Sequence, residues 1–205
     1  MDSDENTREK VVELLLKHEV TVCVLCIEHF CLDDLGCYVS WANDVLQEAD
    51  RFDDVSELVF LSSLESPFNY YEIRDSIFRI LQMLGLSRVS HDEAVSLYCY
   101  GLMKMMASAL VETSDCLRKI AELYSEDGNV KELEWFYYLN RYMDWMDVEI
   151  RNEFGFPDSY SKCVDLFVSY SRELLEKAKV AINHSNKGIL LTVDWGVQKR
   201  SSHAF

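Results

Sequence analysis

S-H-D-E-A-V-S-L-Y-C-Y-G-L-M-K-M-M-A-S-A-L-V-E, from Ser90 to Glu112, decides how the rest of this chain is read. Between Glu93 and Glu112 the only charged residue is Lys104, so a helix drawn through the stretch has almost no polar face. A helix that is apolar all round belongs inside a protein or a membrane. Ser90-x-x-Glu93 has the form of a capping box and marks where it opens. The segments on either side are amphipathic. The expectation is therefore an all-α protein, a helical bundle in which amphipathic helices wrap one apolar central helix.

Composition fits that picture. A chain of 205 residues, 49% hydrophobic and 27% charged, suits one folded domain with a proper core. Two prolines and seven glycines leave little material for many tight turns. A formal net charge of −16 without a Lys/Arg stripe argues against nucleic acid and against anionic membrane surfaces. A partner is expected to be basic or apolar.

Seven cysteines (Cys23, Cys26, Cys31, Cys37, Cys99, Cys116, Cys163) form an odd set, and the opening M-D-S-D-E-N is acidic where a signal would be basic and then apolar. Reduced thiols and a cytoplasmic location are expected. Gly188 to Val193 is too short to span a bilayer, so no tail anchor is expected.

Working outward, Thr7 is placed to cap a first helix reaching about Phe30, with Val11, Val12, Leu14, Leu15, Val20, Val22, Leu25 and Ile27 as its stripe. Asp33–Gly36 reads as a turn, Ser40 as the start of a helix to Arg51, and Asp54 as the start of one to Leu64. Tyr70 to Leu84 carries Ile73, Ile77, Ile80 and Leu81 at helical spacing, with Gly85 as its stop. Beyond the central helix, helices are predicted at Cys116–Tyr124, at Val130–Glu153 with its run of aromatics, and at Ser159–Ile182. One helical domain is thus expected over residues 1–182, followed by a loose tail over 183–205 in which Leu190–Val193 is a minor strand candidate.

Chemistry-bearing motifs are sparse. Cys23-x-x-Cys26 with His29 and Cys31 lacks the second matched pair that a structural zinc site uses. His91-Asp92 resembles the centre of a metal-dependent phosphohydrolase, with His18 or His29 before it and Asp115 or Asp144 after, but acidic residues are favoured in a helix's first turn anyway. Asp53-Asp54-x-x-Glu57 has ligands for magnesium and equally reads as a solvated acidic face. No glycine-rich phosphate loop or nucleophile elbow occurs. No cofactor and no enzymatic activity are expected. The aromatics from Trp135 to Trp145 read as core.

Several segments in order resemble the Bcl-2 family of apoptosis regulators. T-R-E-K-V-V-E-L-L-L-K-H (Thr7–His18) resembles the fourth homology motif. W-A-N-D-V-L-Q-E-A-D-R-F (Trp41–Phe52) resembles the third, the BH3 segment: Trp41, Val45 and Phe52 fill anchor positions, Ala49 the small position and Asp50 the acid, while Glu48 stands where an apolar anchor belongs. V-S-H-D-E-A-V-S-L-Y-C-Y-G (Val89–Gly101) resembles the first, with Ser90, His91, Asp92 and Glu93 replacing Asn-Trp-Gly-Arg. E-I-R-N-E-F-G-F (Glu149–Phe156) resembles the second. The likeness runs from about Thr7 to Ile182.

The resemblance implies a groove that takes a partner's amphipathic helix, lined here by Leu84, Asp92, Glu93, Val95, Ser96 and Tyr100. In the family an arginine at the Glu93 position pairs with the incoming aspartate, and a glycine at the Asp92 position gives the helix room. Two like charges about 4 Å apart repel by ~4 kcal/mol at an effective dielectric near 20, as an upper figure. Two readings follow. The first is a non-enzymatic regulator of programmed cell death, of the restraining kind, recruited to mitochondria only by a partner and holding an amphipathic helix of atypical charge. The second is an adaptor or inhibitor of host signalling that docks by an outer face over a vestigial groove. Either is compatible with a homodimer.

Overall fold

The computed structural model describes residues 11–47, 54–127, 133–185 and 188–196. These are mostly helical and divide into two compact units. One holds the described residues up to Gly101 with Val180–Val193; the other holds Leu102–Lys179 with the described residues from Asp194.

In the first unit the single helix expected up to Phe30 is two: α1, helical over 11–15, and α2, Thr21–Leu25. The break has a local cause. The Thr21 hydroxyl donates to the Leu15 carbonyl at 2.5 Å, supplying a side-chain partner to an acceptor that a continuing helix would bond through a backbone amide. Val20, Thr21, Val22 and Val24 are β-branched and weak helix formers besides. Next come α3 (Gly36–Leu46), α4 (Ser56–Ser62) and α5 (Tyr70–Met83), with α3 packed on α4 and α4 on α5. Helix α3 opens at Gly36, not Ser40, because the Asp34 carboxylate accepts from the Gly36 amide at 2.8 Å and folds the predicted turn into the helix start. Gly85 stops α5 as predicted, with φ +69 and the Leu86 amide returning to the Leu81 carbonyl at 2.9 Å.

The apolar stretch becomes α6 (His91–Ala107). Ala94, Val95, Leu97, Tyr98, Cys99, Leu102, Met103 and Met105 are each at most 3% exposed, so the expected burial is found. The helix ends at Ala107, short of Glu112. Ala109 takes φ +57, its amide bonds Met106, and the Leu110 amide reaches back to Met105 at 2.8 Å. That is a Schellman closure made without glycine, which is why no residue signalled it.

Gly101 shows how tightly α6 meets α2: a Cβ there would lie 2.6 Å from Cys23 Sγ and 3.3 Å from the Cys23 amide nitrogen. Gly101→Ala is expected to destabilise the protein by about 1–3 kcal/mol through overpacking, read from the midpoint of urea unfolding.

In the second unit follow α7 (Thr113–Asp127), α8 (Glu134–Trp145), α9 (Val148–Phe154) and α10 (Tyr160–Lys177). Helix α8 packs on α7, α9 and α10. The long aromatic helix expected over Val130–Glu153 is broken at Met146, which takes φ +49, and the Asp147 carboxylate caps α9 by accepting from the Glu149 and Ile150 amides. Of its six aromatics, expected as core, Phe136 and Tyr142 are buried, Trp135, Tyr137 and Tyr138 are half-buried and Trp145 is exposed. Phe136 meets Phe167 edge-on at 5.6 Å and Trp135 lies 4.6 Å from Tyr170.

The chain is not all helix. Helix α10 stops at Lys177, and β1 (Lys179–Ser185) pairs with β2 (Gly188–Asp194). The loose tail expected from residue 183 is a strand across Gly188–Asp194, with Ile189 and Leu191 buried. The connector after α5 bridges to it, Ser87 donating to the Ile189 carbonyl at 2.7 Å and Ile189 to the Gly85 carbonyl at 3.0 Å.

Candidate functional site

The six residues picked for a helix-binding groove lie close in sequence and differ in surroundings. Leu84 caps α5 at 8% exposure and Val95 is 1% exposed, so neither offers an apolar face to a ligand. Ser96 and Tyr100 are half-buried, and burial pushes the Tyr100 phenol up. Asp92 is exposed on the first turn of α6.

Glu93 is engaged locally. Its Oε2 accepts from the Ser90 amide at 2.9 Å and from the Ser90 hydroxyl at 2.7 Å, while Ser90 Oγ lies 3.4 Å from the Glu93 amide. The predicted capping box is therefore made, and it holds this carboxylate against the start of its own helix.

Of the BH3-like segment, Trp41 and Val45 are 2% and 1% exposed. The Trp41 indole N–H donates to Thr21 Oγ1 at 2.9 Å, which joins α3 to the break between α1 and α2. Ala49, Asp50 and Phe52 lie outside the described residues. In the fourth-motif-like stretch Val11, Val12 and Leu15 are buried. In the second-motif-like stretch Gly155 ends α9 at φ +68, and Phe156 stacks on Tyr142 at 5.6 Å.

A cavity of about 700 Å³ opens in the first unit between the end of α5, the 85–89 connector and α2. Leu25, Phe78, Leu81, Leu86 and Val89 form its apolar wall. Arg88 pairs with Glu28 at 3.0 Å there and holds its guanidinium 4.9 Å from the centre of the Phe78 ring. None of the six groove residues is among its walls.

The thiols behave as small hydrophobes. Cys23, Cys26 and Cys99 are fully buried, and burial raises Cys26 well above an ordinary thiol, with Cys23 and Cys99 adding to it. Burial pushes Cys116 up to about 12. Among the described residues no group of His, Cys, Asp or Glu is arranged to hold a metal ion. His29 instead donates from Nε2 to the Val89 carbonyl at 3.1 Å and meets the His91 ring at 5.4 Å. Because the reagent must reach the sulfur, a maleimide at pH 8 is expected to label the half-buried Cys31 and Cys37 before the enclosed Cys23, Cys26, Cys99 and Cys116, even though burial and Asp34 push Cys37 up as well. Peptide mapping after a timed quench checks this.

Comparison of the chain with protein-family models, with curated proteins and with solved structures finds no match. No helix among the described residues is long and apolar enough to cross a membrane.

The corner between α8 and α9 escaped the sequence reading. Trp145 is 79% exposed, Val148 63% and Met146 45%. The expectation that the aromatic run is core as far as Trp145 is wrong at its last residue. At 100° per residue, Trp145 lies half a turn round the helix from the buried Phe136. That phase was the available signal.

Proposed function

We propose that this chain is a non-enzymatic binding protein of the second kind read from the sequence: a Bcl-2-like adaptor or inhibitor of signalling that engages partners by an outer face. The observation that carries the reading is Glu93, folded back on Ser90 in the capping box, while Leu84 and Val95 are buried. A helix arriving at that position would find neither an apolar floor nor a cation. Apart from Met83 next to Leu84, the large exposed apolar side chains are away from these residues in sequence. Trp145, Met146 and Val148 form the run of them closest in sequence, with Trp145 the most exposed among the described residues. Such groups in cluster are the usual material of protein–protein contact.

The groove-type reading, a regulator of cell death that holds a BH3-type helix, is favoured by one feature: the cavity beside the end of α5 with its leucine, valine and phenylalanine wall. Titrating helical death-motif peptides against the protein and against Glu93→Arg separates the two. The adaptor reading expects no binding to either, with the helical circular dichroism intact. Binding that rises sharply in the variant would establish an open groove of altered charge instead.

A further inference from the structure

We propose that the α8–α9 corner is a docking point for a basic segment of a partner protein, one that places an arginine or lysine on Trp145 and apolar neighbours on Met146 and Val148. This rests on the outer-face reading and gives it a place and a chemistry.

The first argument is a local rule broken. Helix α8 ends M-D-W, and its last turn contains no base. The C-terminal end of a helix carries partial negative charge from carbonyls with no amide to accept from, so a carboxylate there is unfavourable and a cation favourable. Asp144 sits in that turn. Among the described residues it takes a hydrogen bond only from the neutral Asn140 side chain, at 3.2 Å. Asp147 follows as the cap of α9, and Glu149 is exposed in its first turn. Residues 144–149 thus carry three acids and no base. Arg141 and Arg151 are the nearest bases in sequence and both are exposed. Neither lies within salt-bridge distance of a carboxylate among the described residues, and the charge of Arg151 acts on Asp158. Departures of this kind from local consistency gather at functional positions.

The second argument is the ring. An indole face is the best aromatic partner for a cation, and here it stands 79% exposed, with Asp144 just before it and Asp147 two residues after it in sequence. An arginine laid on Trp145 would meet the ring and Asp144 or Glu149 together, while flanking apolar side chains would cover Met146 and Val148. The chain's net charge of −16 steers a basic segment inward. The same charge turns away a second copy of the chain and any phosphate-bearing surface.

Tryptophan emission provides the test, because Trp41 and Trp195 are buried and Trp135 is half-buried. The probes are an acetylated, amidated peptide of alternating leucine and arginine and its leucine–glutamine counterpart. The arginine peptide should shift the emission to the blue, protect Trp145 from iodide quenching, and bind several-fold more weakly at raised salt. Calorimetry should show at least a tenfold loss of affinity in Trp145→Ala, whose exposed position leaves the fold intact, and a several-fold loss in the double variant Asp144→Asn, Glu149→Gln. Equal protection by the glutamine peptide would overturn the charge assignment while leaving the outer face standing. Identical behaviour of the parent protein and Trp145→Ala would overturn the docking point. Failure of the outer-face reading shows separately, as death-motif peptides binding at Glu93.

Discussion

Trp41→Ala is expected to lower the stability of the protein by about 3–5 kcal/mol, the range for truncating a buried aromatic to alanine. Trp41 is 2% exposed and is the largest fully enclosed side chain among the described residues. Its removal opens a void in the first unit beside Tyr38 and Val45, which are themselves at most 1% exposed and have little room to collapse. It also strips Thr21 Oγ1 of the donor at 2.9 Å, and Thr21 is the residue whose bond to Leu15 divides α1 from α2. Trp41→Phe keeps most of the apolar volume and loses the indole N–H, so its cost should be nearer 1 kcal/mol from the hydrogen bond plus part of the packing loss. Urea unfolding of the three proteins gives the comparison. A loss below 1 kcal/mol for Trp41→Ala would mean that α3 is not seated in the core.

The contrast between Trp41 and Trp145 shows what was legible and what was not. Apolar periodicity identifies helices and their inward faces, so α5 with Gly85, the buried α6 and the Ser90–Glu93 box were readable in the linear order. Ends set by a side chain reaching across several residues were not. Thr21 bonding Leu15, Asp34 starting α3 and Asp147 capping α9 each redraw a boundary through one hydrogen bond, and serine, threonine and aspartate are too common for that to stand out. The exposed corner at Trp145 was hidden for another reason: aromatic residues in a helix are usually core, and phase distinguishes the exception only when the last turn is followed carefully. The candidate groove was read from family likeness rather than from burial. The linear sequence could not say that Leu84 and Val95 would be enclosed.

Of the hairpin only part of β2 is expected from the sequence, Leu190–Val193 as a minor strand candidate, while β1 reads as helix and tail; the test of the hairpin turns on Gly188. V-A-I and G-I-L-L-T-V have the β-branched content of strands, but the first lies at the end of an amphipathic run that continues α10 in register, so the helix pattern masked it. What fixes β2 is contact with a segment about a hundred residues earlier. Gly188 has φ +126, a conformation that side chains of L-residues rarely adopt. A Cβ there would stand 2.4 Å from the Gly85 carbonyl oxygen and 3.1 Å from Ser87 Oγ. The obstructing atom is backbone and cannot swing aside. Gly188→Ala is therefore expected to combine strain of about 1–3 kcal/mol with overpacking of about 1–3 kcal/mol. The bonds between Ser87 and Ile189 and between Ile189 and Gly85 should be the first to weaken, so amide exchange at Ser87 and Ile189 should accelerate more than in the core of α5. Gly155→Ala is the control: φ +68 is also left-handed, yet nothing lies within 4 Å of the added methyl. Its cost should stay near 1–2 kcal/mol, from backbone conformation alone. If the two variants lose stability equally, the close approach of β2 to the 85–87 connector contributes nothing, and the hairpin is held by its own two strands.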